Sequence, residues 1–310
     1  MKLFIRYKLI AIIGLLIFPV YAQGPGNHKE PGLEKDRQAA NTRYAKSPDG
    51  TKIAYDVTGH GPALILLHGG GDSRKNWHDA GYVDRLKDSF QVITIDIRGN
   101  GESDKSTDPT AYTAEKHLQD FLSVADACGV QNFVLWGFSY GANIGKYLAA
   151  QSERVKGFVL IGANFGRGAE GDLRSNLKKT CDHWEPILKA HRDNTLDWDT
   201  LSEVDKVNLR KLKDILPVNL AWGCAILEWP VILPKDIHCP ALLLIGSKNA
   251  DAIAGLKKYQ IDLPGSLIKS HIIDGLTHKQ EFSEIDKVLP ILLEFTHSVW
   301  ADNTRSKISE

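Results

Sequence analysis

Six short apolar, β-rich runs, at 63–67, 91–95, 132–136, 157–161, 241–245 and 267–273, are the strongest constraint on what this chain can become. Strands this apolar on both faces fit a sheet covered above and below, and such sheets are mostly parallel. Between the runs the pattern switches to helical spacing. Leu118, Phe121, Leu122 and Ala125 share one face of the stretch 114–128, and 142–150 reads as a second helix. Strands alternating with helices specify a doubly wound, mostly parallel α/β sheet. With 310 residues, 43% hydrophobic and 25% charged, there is material for one large core and an inserted subdomain. The insertion is expected at about 165–235, where the strand rhythm stops and Trp184, Trp198, Trp222 and Trp229 accumulate. These tryptophans read first as aromatics packing a helical cap onto the sheet, and second as walls of an apolar pocket.

The two ends read differently from this core. Lys2, Arg6 and Lys8 precede an apolar run over 9–20, and Val20 and Ala22 stand before Gln23 in the manner of a cleavage site. Residues 1–22 are therefore read as a secretory signal peptide and the mature protein as exported, periplasmic or secreted. An uncleaved anchor is the alternative, but the run falls short of the roughly 20 residues a membrane span needs. No stable membrane insertion is expected after cleavage. Residues 23–45 read as a linker rich in Gly, Pro and charge, 46–300 as the folded domain and 301–310 as a polar tail.

The 38 basic and 38 acidic residues cancel, and loss of the three basic residues of the signal leaves a slightly acidic mature chain. Nucleic acid is not an expected partner. Cys128, Cys181, Cys224 and Cys239 show no CxxC spacing and no neighbouring His cluster, so no metal is expected. In an oxidising compartment Cys181 and Cys224 can bridge within the insertion, while free buried cysteines remain the alternative. Neither a GxGxxG turn after a strand nor a GxxxxGK[ST] loop is present, so no cofactor is expected.

The chemistry concentrates in three segments. Gly137-Phe138-Ser139-Tyr140-Gly141 follows an apolar run and precedes a helix. A sharp strand-to-helix turn needs glycines two residues either side of the serine, and its strain lifts the hydroxyl clear of the sheet. His68-Gly69-Gly70-Gly71 follows the run ending at Leu67, with Ser73 and Trp77 beyond it. Glycines there let backbone N–H groups approach a substrate oxygen. His68 is expected to bond and pack beneath this loop rather than act as a base. The third segment is Asp96-Ile97-Arg98-Gly99-Asn100-Gly101-Glu102-Ser103-Asp104.

Taken in this order the three segments resemble the α/β-hydrolase fold family, in particular its serine esterase and lactonase-like branch, over about residues 52–296. The resemblance implies an α/β-hydrolase fold with an inserted helical cap. It implies that Ser139 is the nucleophile and that Gly70 and Tyr140 supply the oxyanion hole. Asp96 and Arg98 are implied to support the oxyanion loop. The family places its base after the last strand, where Asp274-Gly275-Leu276-Thr277-His278 stands, so His278 is expected to be the base; His271, within the strand, is its nearest rival. The family's acid follows the strand 241–245, but Asn249 occupies that position. A one-residue insertion brings Asp251 into the role, which is the expectation here; an acid after 157–161 or no acid at all are the alternatives. The reaction implied is acyl transfer to water from a small carboxylic ester, thioester or lactone, with C–C bond hydrolysis open. Ser rather than Asp at the elbow argues against epoxide hydrolase chemistry. A ligand-binding protein without turnover is the reading that Asn249 favours.

Overall fold

The structure is a computed structural model that describes residues 42–212 and 214–308. The residues read as a signal peptide lie outside the described residues. Eight strands form one sheet: β1 (Arg43–Lys46), β2 (Lys52–Thr58), β3 (Ala63–Leu67), β4 (Gln91–Ile95), β5 (Phe133–Phe138), β6 (Val155–Ile161), β7 (Ala241–Gly246) and β8 (Ile268–Ile273). Their spatial order is β1-β2-β4-β3-β5-β6-β7-β8. The strands from β4 to β8 are parallel, while β1 pairs antiparallel with β2 and β2 with β4.

Period-2 alternation splits the strand side chains between two cores. Ile65, Leu67, Ile93, Ile95, Phe133 and Leu135 face Leu118 and Phe121 of α3 (Ala114–Ala127) and Tyr147 and Leu148 of α4 (Tyr140–Gln151). On the other face Leu64, Leu66, Val134 and Trp136 meet α1 (Lys75–Asp79), α2 (Tyr82–Leu86) and the C-terminal helix. Burial on both faces is why β3, β5 and β7 read as unbroken apolar runs, whereas β8, at the far edge, is mostly exposed.

The edge of the sheet carries no such signal. In β1 only Ala45 is buried, and its first three residues, Arg43 to Ala45, fall in the stretch read as linker. Its backbone is held by register with β2, from Arg43 opposite Tyr55 to Lys46 opposite Lys52. The sheet therefore takes in Arg43, inside the stretch that reads as linker.

Among the described residues three α-helices between β6 and β7 make the cap: α5 (Gly171–Arg192), α6 (Glu203–Lys211) and α7 (Leu216–Ile226). A disulfide joins Cys181 of α5 to Cys224 of α7. Trp222 and Trp229 pack against Tyr140, and the Trp229 indole N–H donates to the carbonyl of Tyr112 at 2.9 Å, so both fasten the cap to the sheet. Beyond β7 come α8 (Ala250–Tyr259), the short α9 (Gln280–Ser283) and α10 (Ile285–Ile308). The last helix runs through most of the stretch read as a polar tail. Trp136 donates to Thr296 Oγ1 at 3.0 Å and ties α10 to the central strand. Among the described residues no helix is long and apolar enough to cross a membrane.

Candidate active site

Ser139 stands between β5 and α4 with φ 52° and ψ −110°, a conformation that L side chains rarely adopt. The flanking glycines are required by close approach. A Cβ on Gly137 would lie 2.5 Å from the backbone nitrogen of Ala142, and one on Gly141 would lie 2.6 Å from the carbonyl carbon of Leu67. The turn is thus compressed against β3, and Ser139, 9% exposed, sits above the carboxyl end of the sheet.

The base approaches from the loop after β8. Ser139 Oγ donates to His278 Nε2 at 3.0 Å. Phe138 stacks on the imidazole with ring centroids 5.0 Å apart, which fixes its plane. On the other side, His278 Nδ1–H donates to Glu281 Oε2 at 2.8 Å. With Nδ1 protonated, Nε2 is the free acceptor that a serine proton needs.

Glu281 has no exposure, whereas the His278 side chain is 40% exposed. A buried carboxylate survives only if its lone pairs are engaged. The backbone N–H of Gly246 donates to Oε1 at 2.7 Å, and Asn249 Nδ2 lies 2.9 and 3.0 Å from the two oxygens. Gly162, with φ 66°, passes directly over this pair: a Cβ there would overlap Glu281 Oε2 and lie 2.7 Å from His278 Nδ1.

Ser139 and His278 are therefore brought together, and Asp251 is not. Asp251 lies exposed in the first turn of α8, and its backbone carbonyl accepts from Asn164 Nδ2 at 3.2 Å. No insertion displaces the loop, because Asn249 is itself the N-cap of α8, its Oδ1 accepting from the Ala252 N–H. The carboxylate beside the imidazole comes instead from three residues beyond His278. The i, i+3 spacing within a helical turn was the one available signal. Nothing in the sequence marks Glu281, among Gln280, Glu281 and Glu284, as the buried member.

The glycine loop is pinned from below. His68 is buried; its Nε2 accepts from the Ile97 N–H at 3.0 Å and its Nδ1–H donates to the Gly69 carbonyl at 2.7 Å. Burial lowers its pKa, so it stays neutral and fully engaged, the structural part expected of it. The Gly141 N–H donates to the His68 carbonyl at 3.0 Å, tying the elbow to the loop that carries Gly70. Tyr140 is the first residue of α4, so its N–H has no acceptor within the helix.

Asp96 also supports this loop, since Oδ1 accepts from the Arg74 N–H at 2.7 Å and its carboxylate pairs with the Arg74 guanidinium. Arg98 does not. It forks onto Asp120, with both contacts at 2.6 Å, and reaches Asp49 at 2.9 Å, clamping α3 to the turn between β1 and β2. The cation beneath the loop is Arg74, which also pairs with Asp56 at 2.8 Å. The motif order suggested Arg98; the chain direction after β4 carries it to the opposite face.

A family model described as alpha/beta hydrolase fold matches residues 62–190. An esterase from Thermogutta terrifontis superposes with TM-score 0.62 at 21% identity, covering 84% of this chain and 99% of that one. This chain has the α/β-hydrolase fold. Among curated relatives, epoxide hydrolase 3 of Siraitia grosvenorii is 30% identical over 119 residues, 38% of this chain and 37% of that protein. The chain thus spans well under half the length of that relative. A proline iminopeptidase of Heyndrickxia coagulans is 22% identical over 79% of this chain and 94% of its own. The names of these two relatives cover different bonds, so the likeness carries the scaffold and no particular reaction.

Proposed function

We propose that the protein is an exported serine hydrolase that cleaves a small carboxylic ester, thioester or lactone through a Ser139-His278-Glu281 triad. The observation that carries this reading is the continuous chain from Ser139 Oγ to His278 Nε2 at 3.0 Å and from His278 Nδ1 to Glu281 at 2.8 Å. In this reading His278 takes the serine proton as Oγ attacks the acyl carbonyl, and the backbone N–H groups of Gly70 and Tyr140 receive the oxyanion. Collapse of the tetrahedral intermediate expels the alcohol, thiol or ring oxygen, which takes its proton from Nε2. Water, deprotonated by the same nitrogen, then releases the acyl group. Glu281 accepts from Nδ1–H throughout and stabilises the imidazolium.

Asn249 at the family's acid position favoured a non-catalytic binding protein. That argument loses its force where another buried carboxylate meets Nδ1. Export is supported by the basic and apolar pattern of residues 1–22 and by the Cys181–Cys224 disulfide, a bond that persists in oxidising compartments.

The test is labelling of the purified mature protein with a fluorophosphonate, together with hydrolysis of short-chain p-nitrophenyl esters. Wild type should label and turn over, and Ser139→Ala and His278→Ala should do neither. A wild-type protein that does neither shifts the weight to ligand binding.

A further inference from the structure

Asn249 makes contacts that a simple lost acid does not need. Its Oδ1 caps α8 by accepting from Ala252 at 3.2 Å, which orients the side chain. Its Nδ2 then stands 3.1 Å from His278 Nδ1 and 2.9 and 3.0 Å from the two oxygens of Glu281. Nδ2 and the protonated Nδ1 are both donors, so the bond between them is not made, and the amide hydrogens go to Glu281. The imidazole N–H thus points at the junction of two side chains of similar reach, one a carboxylate and one an amide.

We propose that Asn249 is a positioning residue that holds Glu281 against His278, and that 249 and 281 are interchangeable seats for the one carboxylate the site requires. This rests on the serine-hydrolase reading. In the exchanged pair, Asn249→Asp combined with Glu281→Gln, the new aspartate keeps the cap on Ala252 and offers an oxygen 3.1 Å from Nδ1. The new glutamine keeps the bond from the Gly246 N–H through its oxygen, and its amide nitrogen donates back to that aspartate. Net charge, hydrogen-bond number and volume change little, and only the direction of one bond reverses.

Two carboxylates cannot replace the mixed pair at no cost. In Asn249→Asp alone they would stand about 3 Å apart, where they share a proton and one of them titrates far above its usual range. Once that proton leaves, two negative charges hold the imidazolium protonated. The acidic limb of kcat/KM then moves to higher pH, by about one unit.

The experiment compares kcat, KM and pH profiles of wild type, Glu281→Gln, Asn249→Asp, Asn249→Ala and the exchanged double variant. The far-downfield proton resonance of His278 Nδ1–H is followed in parallel. Glu281→Gln should lose kcat on the order of 10⁴-fold, as expected when an imidazole loses its acid. The exchanged pair should regain about 10²-fold of this, held below wild type by its longer approach to Nδ1. Asn249→Ala should lower kcat with KM unchanged. The resonance should vanish in Glu281→Gln and return in the exchanged pair.

An exchanged pair no better than Glu281→Gln, with no returning resonance, overturns the proposal. If that variant does not fold, an acidic limb in Asn249→Asp that stays at the wild-type position overturns it instead. Should wild type neither label nor turn over, the hydrolase reading fails separately, and the resonance still decides between the two seats.

Discussion

Replacing Gly162 with alanine should damage both stability and catalysis, through two effects that can be separated. The first is conformational: at φ 66° an L side chain costs about 1–2 kcal/mol. The second is steric. The new methyl would overlap Glu281 Oε2 and stand 2.7 Å from His278 Nδ1, so the buried acid and base must be pushed apart or the strand end must shift. Forced insertion into a packed interior adds about 1–3 kcal/mol, for a total loss of about 2–5 kcal/mol. A displacement of the catalytic pair approaching 1 Å should lower kcat about 10²-fold. Gly275→Ala is the matched control. Its φ is 76° and nothing lies within 4 Å of its would-be Cβ, so it carries the conformational cost alone. Urea unfolding and ester turnover of both variants measure the two terms. Equal stability losses, with Gly162→Ala turning over like wild type, would refute the claim that this glycine exists to admit the Glu281–His278 pair.

Lys146 is fully buried on α4, donating to the carbonyls of Asn164 at 3.0 Å and Arg167 at 2.9 Å, and burial lowers its pKa from 10.5 to about 7. Between those values the unfolded chain holds a proton that the folded chain lacks, so folding stability rises with pH, by up to about 1.4 kcal/mol per unit. Wild type should therefore gain on Lys146→Met as pH increases from 7 to 10, measured by urea unfolding; a difference independent of pH would mean that the lysine remains charged in the fold. The Cys181–Cys224 bond closes a separation of 43 residues inside the cap. Cys181→Ala/Cys224→Ala should lose about 2–4 kcal/mol, and reductant should lower the wild-type unfolding midpoint while leaving the double variant unchanged.

Much of this protein is legible without its structure. The runs 63–67 and 91–95 are β3 and β4 to the residue, because a strand buried on both faces has little room for polar side chains. The Ser139 turn is equally local: the glycines at 137 and 141 are demanded by backbone atoms a few residues away or on the adjoining strand. Those features follow from side-chain periodicity and the sterics of one turn, and both are written along the chain.

What depended on the tertiary structure was the choice of partner for each buried charge. Asp251 and Glu281 look alike as letters, and so do Arg74 and Arg98. Glu281 is set beside His278 because the end of β7, through the Gly246 N–H and the Asn249 amide, meets α9 from 35 and 32 residues away. Arg74 lies beneath the glycine loop because Asp56 of β2 and Asp96, just beyond β4, converge there. Apolar burial is nearly indifferent to which neighbour supplies the contact, so pattern suffices for the fold. A buried ion needs a specific counter-group within about 3 Å, and only packing of distant segments decides which one arrives.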